Sequence, residues 1–411
     1  DLQEKNPKAA RRRIEAILEK DQDNVQALLT LASLGPRIGA TRKEQIDWLE
    51  RARKASPGSV QPQLMLARSY AQGGDAKKAL EAAQQAQAVS PDNFEVLDVL
   101  GAIQIAAGDK EQALVTYRKL ATLQPTSPVA LYRLATAQAA NADQAAASTL
   151  KKALSLKPDF VDAQLALAEL EVRAGRFPEA MKIARQVQKQ AAKSPLGFVL
   201  EGDVLMAEKK FPQAAKAYET AYSIGKSGLL AVKIHAAYAQ AGKPDEAERR
   251  LGQWLKQSPD DVAVRLYAAD VSLRGGKYQG AIEHYEWVLQ KQPDNVLVLN
   301  NLAWAYQQVK DKRAVETAER GYKLKPDSPA VADTLGWILV EQGNTSRGLE
   351  LLQKAVAAAP DAHEIRFHLA QAWLKAGDKS KARSELERLL AIDAKFPQQA
   401  EARSLLRQLG N

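Results

Sequence analysis

The chain has 411 residues, a formal charge of +9 and no cysteine. The absence of cysteine excludes disulfides and thiolate zinc sites. No apolar run approaches the length of a membrane-spanning helix. The basic surplus is spread along the sequence rather than concentrated in a stripe, which argues against a nucleic acid as the partner.

Proline recurs along the chain with a spacing of 33 or 34 residues. The gap in the middle of the series spans 101 residues, which equals three such spacings. A fixed period of this length is the signature of a repeat array, in which each unit packs only against its neighbours. The prolines that mark the period are Pro57, Pro91, Pro125, Pro158, Pro259, Pro293, Pro326 and Pro360.

Small residues keep the same phase as these prolines. Twelve residues before each mark, as at Ala113, eleven of twelve positions hold Ala or Gly, and ten residues after it, as at Ala303, all twelve hold Ala, Gly or Ser. A larger side chain between closely packed helices would cost about 1–3 kcal/mol. Each repeat is therefore predicted to contain two helices that approach closely at these positions.

Turn residues separate the predicted helices. Proline followed by Asp, as in PDN at 91–93 and 293–295, is expected to end one helix and cap the next. Glycine just past a helix end permits the left-handed conformation that stops it. The glycines expected in this role are Gly74, Gly108, Gly175, Gly242, Gly276, Gly343 and Gly377.

These marks resemble the tetratricopeptide repeat over essentially the whole chain, as in LGAIQIAAGD at 100–109 and LARSYAQGGD at 66–75. The resemblance implies an all-α fold, a right-handed α-solenoid of about eleven helix-turn-helix repeats whose first helices line a concave groove. Residues 1–24 are expected to form a truncated first repeat, with Asp1 inside a first helix of a longer protein, and residues 397–411 a capping helix. The repeats are expected at 25–59, 60–93, 94–127, 128–160, 161–194, 195–228, 229–261, 262–295, 296–328, 329–362 and 363–396.

The sequence offers no constellation that selects a reaction. His363, Glu364 and His368 approximate a zinc-protease motif, but the second histidine is one residue too late to share a helix face with the first. No phosphate-binding loop or serine elbow is present. We therefore expect a chain that is not an enzyme, with no catalytic residues, no metal and no cofactor, in which His235 is a packing residue.

Two tryptophans stand at matched places, in NNLAW at 300–304 and DTLGW at 333–337. In the tetratricopeptide family this first-helix position faces the groove, whereas Tyr70, Tyr306 and Trp373 fall at a position that packs. An aromatic floor with polar rims could stack on a sugar ring or hold an extended peptide. Alternatively, both indoles only fill space between repeats. The predicted groove residues are Asn300, Asn301, Trp304, Gln307, Asp333, Trp337, Phe367 and Gln371.

The C-terminal third, from NNLAW at 300–304 to FPQQAEA at 396–402, resembles the end of the tetratricopeptide lipoprotein family of the bacterial PEP-CTERM/exosortase system, PrsT. That resemblance implies a periplasmic protein, held at the outer membrane by a lipid on an N-terminal Cys that this chain lacks. We expect a protein-interaction scaffold that serves exopolysaccharide or surface-protein export. Direct binding of polysaccharide or peptide in the groove, and a cytoplasmic adaptor, are the alternatives.

Overall fold

The computed structural model describes residues 6–391 and 396–410. The chain divides into two compact units, Asp1–Gly225 and Lys226–Asn411. Every regular element among the described residues is helical, so the prediction of an all-α solenoid fold is confirmed over that part of the chain. None of the described helices combines the length and apolar character that crossing a membrane requires.

The first unit contains thirteen α-helices among its described residues, with one short 3-10 turn, Gly35–Arg37, after the second. The predicted first helix around Asp1 lies outside the described residues. The helices are α1 (Pro7–Lys20), α2 (Val25–Leu34), α3 (Arg42–Ala55), α4 (Val60–Gln72), α5 (Ala76–Val89), α6 (Phe94–Ala106), α7 (Lys110–Leu123), α8 (Pro128–Ala140), α9 (Ala146–Leu156), α10 (Val161–Arg173), α11 (Phe177–Gln190), α12 (Leu196–Ala207) and α13 (Phe211–Ile224).

The second unit contains eleven α-helices among its described residues. They are α14 (Gly228–Gln240), α15 (Pro244–Gln257), α16 (Val262–Arg274), α17 (Tyr278–Lys291), α18 (Val296–Gln308), α19 (Arg313–Leu324), α20 (Pro329–Glu341), α21 (Thr345–Ala358), α22 (His363–Lys375), α23 (Lys379–Ala391) and α24 (Gln399–Gln408).

Within each unit, every even-numbered helix from α2 to α22 packs against the odd-numbered helix that follows it. Most even-numbered helices also contact the next even-numbered helix of the same unit, as α4 does with α6 and α20 with α22. The even-numbered helices are the first helices of the expected repeats, so they form a layer of their own in each unit. The repeat boundaries expected from the sequence stay a prediction.

The small residues allow the two helices of a pair to approach. Ala113 and Ala303 are fully buried. A Cβ atom added to Gly101 would lie 2.5 Å from the ring of Tyr117, and one added to Gly336 would lie 2.9 Å from Leu352. Both distances are shorter than real Cβ contacts, so these two positions require glycine unless the neighbouring side chains move.

The glycine turns have the backbone conformation expected from the sequence. All seven predicted glycines have a positive φ, from 70° at Gly276 to 89° at Gly343. Ala142, Lys209 and Lys310 occupy the same left-handed region in repeats that lack the glycine, with φ between 55° and 60°. The turn is therefore imposed by the helix pair, and glycine only lowers its conformational cost.

At the proline turns, the next helix is capped by the second residue after the proline. The sequence pattern had suggested the Asp that directly follows the proline. Asn93, Asp261 and Asn295 each accept a backbone N–H of the following helix with the side-chain oxygen, at 3.1, 3.1 and 3.2 Å. Each stands two residues after its proline. The cap is placed there because the proline and the next residue form the turn itself.

Basic side chains join neighbouring repeats at these turns. The Lys119 ammonium donates to the carbonyl of Pro91 at 2.9 Å, and that of Lys354 to the carbonyl of Pro326 at 2.9 Å. Arg320 donates to the carbonyl of Pro293 at 3.0 Å. Each bond runs from a second helix to the turn before its own repeat, so it supplies a partner to a carbonyl that no helix satisfies.

Candidate functional site

A cavity of about 680 Å³ lies in the second unit, where three first helices, α18, α20 and α22, come together with the residues that precede α24. It is partly open to solvent. Its lining mixes one indole with amides, carboxylates and imidazoles. The lining residues are Asn300, Asn301, Trp304, Ala330, Asp333, Thr334, Ala362, His363, Glu364, Ile365, His368, Phe396, Pro397 and Gln398.

Helix periodicity places the α18 side chains in the cavity. Leu299, Leu302 and Ala303 are buried and fix one face of α18 against its neighbours. Asn300 and Trp304 are four residues apart, so they lie on one face, one turn from each other. Both are half-buried and line the cavity.

His368 stands at the centre of the aromatic cluster. Its imidazole lies parallel to the indole of Trp337, with centroids 4.9 Å apart and 13° between the planes. Its centroid is 6.0 Å from that of Trp304. Its Nδ1 contacts both carboxylate oxygens of Asp333 at 2.9 and 3.0 Å. The imidazole therefore joins the two tryptophans that the sequence pattern had placed in a common floor.

The His368–Asp333 pair is buried, and this changes the proton affinity of the imidazole. Burial by itself lowers the pKa of His368, because it penalises the charged form. The hydrogen bond with Asp333 and the charge of that carboxylate outweigh burial, so the pKa of His368 lies above its ordinary value of 6.5. Both side chains are at most 10% exposed, so solvent screens the pair only weakly.

A chain of hydrogen bonds orients the two asparagines of α18. The Asn300 amide donates to Asn301 Oδ1 at 3.4 Å, and the Asn301 amide donates to the Tyr285 hydroxyl at 3.3 Å. That hydroxyl donates to Asp270 at 2.5 Å. The Oδ1 atom of Asn300 is left buried without a hydrogen-bond partner, and so is Nε2 of His363, whose ring stacks on Phe396 at 4.9 Å. Unsatisfied polar atoms of this kind are unusual in a folded protein, and each calls for an explanation.

Four of the eight groove residues predicted from the sequence line this cavity, namely Asn300, Asn301, Trp304 and Asp333. Trp337 does not. It lies beneath His368 and packs against the cluster that contains Val340 and Leu352. A binding role for any of the eight stays a prediction.

The other three predicted residues lie elsewhere. Phe367 is 3% exposed and packs with Leu386 and Leu389 in the core. The Gln371 amide donates to Glu401 of α24 at 3.3 Å. Gln307 is half-buried outside the cavity lining.

Sequence reasoning missed His363, His368 and Gln398 as lining residues. The spacing of the two histidines suggests only a metal motif, and no group of three or more potential metal ligands occurs among the described residues. The sequence feature that could have indicated these two histidines is the presence of two imidazoles in α22, a helix whose other residues are mostly apolar. Gln398 belongs to the FPQQAEA tail, so the segment that carried the most specific sequence resemblance also closes one side of the cavity.

The remaining two histidines have simpler surroundings. His235 is 4% exposed and its Nδ1 lies 2.9 Å from the Tyr267 hydroxyl, which confirms the packing role expected from the sequence. Burial lowers the pKa of His235 and of His284 below 6.5. His368 differs from both because it faces a buried carboxylate.

An array of helix pairs whose first helices form a binding surface defines the class of helical-repeat interaction proteins. Two family models described as Tetratricopeptide repeat match this chain, one at residues 64–128, 236–286 and 269–329, the other at residues 137–197 and 339–409. The chain belongs to the tetratricopeptide-repeat proteins, and proteins of this family bind other proteins.

Among curated proteins, the chain is similar to a TPR repeat-containing protein of Pseudomonas aeruginosa, with 26% identity over 48% of this chain and 35% of that protein. It is also similar to the Cellulose synthase 1 operon protein C of Komagataeibacter xylinus, with 25% identity over 56% of this chain and 18% of that protein. The chain thus matches about a third or less of the length of these relatives. Among solved structures, yeast Tom70 is similar over 94% of this chain and 95% of that one, with a TM-score of 0.44 and 13% identity.

Proposed function

We propose that this chain is a non-enzymatic scaffold that holds protein components of an exopolysaccharide or surface-protein export apparatus. The observation that carries the proposal is the cavity on α18, α20 and α22. It is built on first helices, which are the groove-forming helices of this family, and it presents half-buried polar and aromatic side chains rather than a catalytic constellation. The similarity to a cellulose synthase operon protein supports the setting in polysaccharide production.

The full-length protein is part of the same proposal. We place it in the periplasm of a Gram-negative bacterium, held at the outer membrane by a lipid. The support is the resemblance of the C-terminal third to the PEP-CTERM/exosortase lipoproteins. The full-length gene tests the location directly, because a lipobox cysteine after a signal peptide is expected, and a gene that encodes neither contradicts it.

Site-specific photo-crosslinking in the native bacterium tests the scaffold. Ala330 is exposed and lines the cavity, so a photo-crosslinking amino acid in its place reports on a bound partner. Lys323 in α19 is an exposed control on a second helix of the same unit. We expect position 330 to form an adduct with a component of the export or polysaccharide-synthesis machinery, and position 323 to form none. The same adducts from both positions, or no adduct from position 330, would contradict the proposal.

A further inference from the structure

The chain covers most of its indoles with its own cations. Arg11 stands over Trp48 at 5.4 Å, Arg265 over Trp287 at 4.1 Å, Lys375 over Trp337 at 5.9 Å and Lys381 over Trp373 at 4.1 Å. The negative face of an indole attracts such groups, and this attraction grows when water is excluded. The pattern recurs at no fewer than four of the six tryptophans of the chain.

Trp304 is different. Over its ring, no lysine or arginine from the described residues stands within the distances seen at the other four, and its ring partner is His368 at 6.0 Å. It is half-buried, and it lines the cavity. An indole with no lysine or arginine of the described residues over it therefore faces the space where a ligand would lie.

The cavity is rich in hydrogen-bond acceptors, although the chain as a whole is basic. Asp333 and Glu364 contribute carboxylates, and no Lys or Arg occurs among the lining residues that the structure describes. The single Nδ1–H of His368 leaves lone pairs of Asp333 unused, because a carboxylate accepts about four hydrogen bonds. Asn300 adds the buried Oδ1 atom that has no partner. A group that donates hydrogen bonds complements these acceptors, and a positive charge on that group complements the two carboxylates when His368 is neutral.

We propose that this cavity binds an arginine side chain of the partner protein, with the guanidinium over Trp304 and its N–H groups directed to the carboxylates of Asp333 and Glu364. The inference rests on the proposed scaffold function and names the chemistry that the partner presents. A guanidinium fits better than an ammonium because it is planar, stacks on aromatic faces and offers five donors in a fixed arrangement. Arginine is also among the residues that contribute most to protein interfaces.

The test compares two blocked amino acids, N-acetyl-argininamide and N-acetyl-citrullinamide. They share their shape, but citrulline is uncharged. Binding to the full chain is followed by the indole N–H resonance of Trp304, which a Trp304→Phe variant assigns. We expect the arginine probe to shift this resonance in a saturable manner and the citrulline probe to leave it unchanged. Equal shifts with both probes would overturn the inference, as would tighter binding of a neutral oligosaccharide such as cellohexaose.

Charge-removing variants locate the site. Asp333→Asn should weaken binding of the arginine probe by about tenfold or more, since the carboxylate is buried. Glu364→Gln should weaken it by about threefold, because Glu364 is exposed and solvent screens its charge. Glu319→Gln is the matched control, since Glu319 is a half-buried carboxylate of α19, outside the cavity lining, that pairs with Arg347. An affinity that responds equally to all three changes would show that the probe senses only the overall charge.

The outcome separates this inference from the scaffold proposal. If the arginine probe fails while the adduct at position 330 forms, the partner binds by other chemistry and the scaffold stands. If the arginine probe binds as expected but no adduct forms at position 330 in the native bacterium, the scaffold proposal fails alone.

Discussion

The imidazole of His368 lies parallel to the indole of Trp337, with 4.9 Å between ring centroids. The two residues are on α22 and α20, so the stack links consecutive first helices at the base of the cavity. Asp333, also on α20, receives the Nδ1–H of the same imidazole. One histidine thus fixes both the aromatic and the acidic parts of the site, and its protonation state decides how much negative charge the site presents.

His368 is expected to titrate on the opposite side of the ordinary histidine value from His235 and His284. The pKa of His368 lies above 6.5 because of Asp333, whereas burial places those of His235 and His284 below it. Proton NMR of the imidazole Cε1–H signals, assigned with single His→Gln variants, measures all three values. A His368 signal that titrates together with those of His235 and His284 would contradict the structure.

The pH dependence of stability follows from the sign of that pKa change. Because His368 has a higher pKa in the folded state than in the unfolded one, its stabilising contribution is fully present below pH of about 6.5 and is lost as the pH rises through the folded pKa. The difference in the free energy of unfolding between the wild type and His368→Gln should therefore be larger at pH 6 than at pH 9. Urea unfolding at both pH values measures it. His235 and His284 occur in both proteins, so their opposite contribution cancels, and a difference that grows with pH would contradict this prediction.

Two Gly→Ala substitutions should change stability in opposite directions. Gly108 has φ of +82°, where a Cβ is strained, so Gly108→Ala should destabilise by about 1 kcal/mol. Gly252 lies inside α15 with no atom within 4 Å of the site of a Cβ, so Gly252→Ala should stabilise by about 0.5–1 kcal/mol. Urea midpoints of the full chain provide the comparison. Changes of the same sign would mean that the turn conformation does not control the cost.

Gly101→Ala tests the small-residue rule. The new Cβ would lie 2.5 Å from the Tyr117 ring, and overpacking of this kind should cost about 1–3 kcal/mol. In the next repeat, Ala135 and Leu150 stand at the matched places and are both buried. Adding Tyr117→Leu to Gly101→Ala should therefore cost less than the sum of the two single changes. Strict additivity in urea unfolding would show that the two positions do not share one space.

The repeat could be read from the sequence because its causes are local and recur. Small residues, turn glycines and prolines each impose a backbone or packing requirement every 33 or 34 residues. Glycine at 74, 108 and 343 therefore predicted a left-handed turn that the structure contains. The same logic gave no warning of Ala142 or Lys310, because there the neighbouring helices hold a conformation that the residue itself disfavours.

The site was predicted only in part because it depends on pairs that the period does not relate. Asp333 and His368 are 35 residues apart and occupy different places in their repeats, so their bond is not a feature of the repeat pattern. The matched places of Trp304 and Trp337 suggested one shared role. Their surroundings differ because only Trp337 has an imidazole stacked on it, whereas Trp304 lines the cavity.

The bonds from Lys119, Arg320 and Lys354 to proline carbonyls have a consequence for how this chain can change length. Each bond spans 27 or 28 residues and joins equivalent positions in adjacent repeats. Duplication or loss of one complete repeat keeps these equivalent positions in register at the new junction. Insertion of a few residues inside a helix shifts the basic side chain away from the proline carbonyl and breaks the bond. Relatives should accordingly differ in length by whole repeats outside the cavity. The array then grows or shrinks while the site on α18, α20 and α22 is kept.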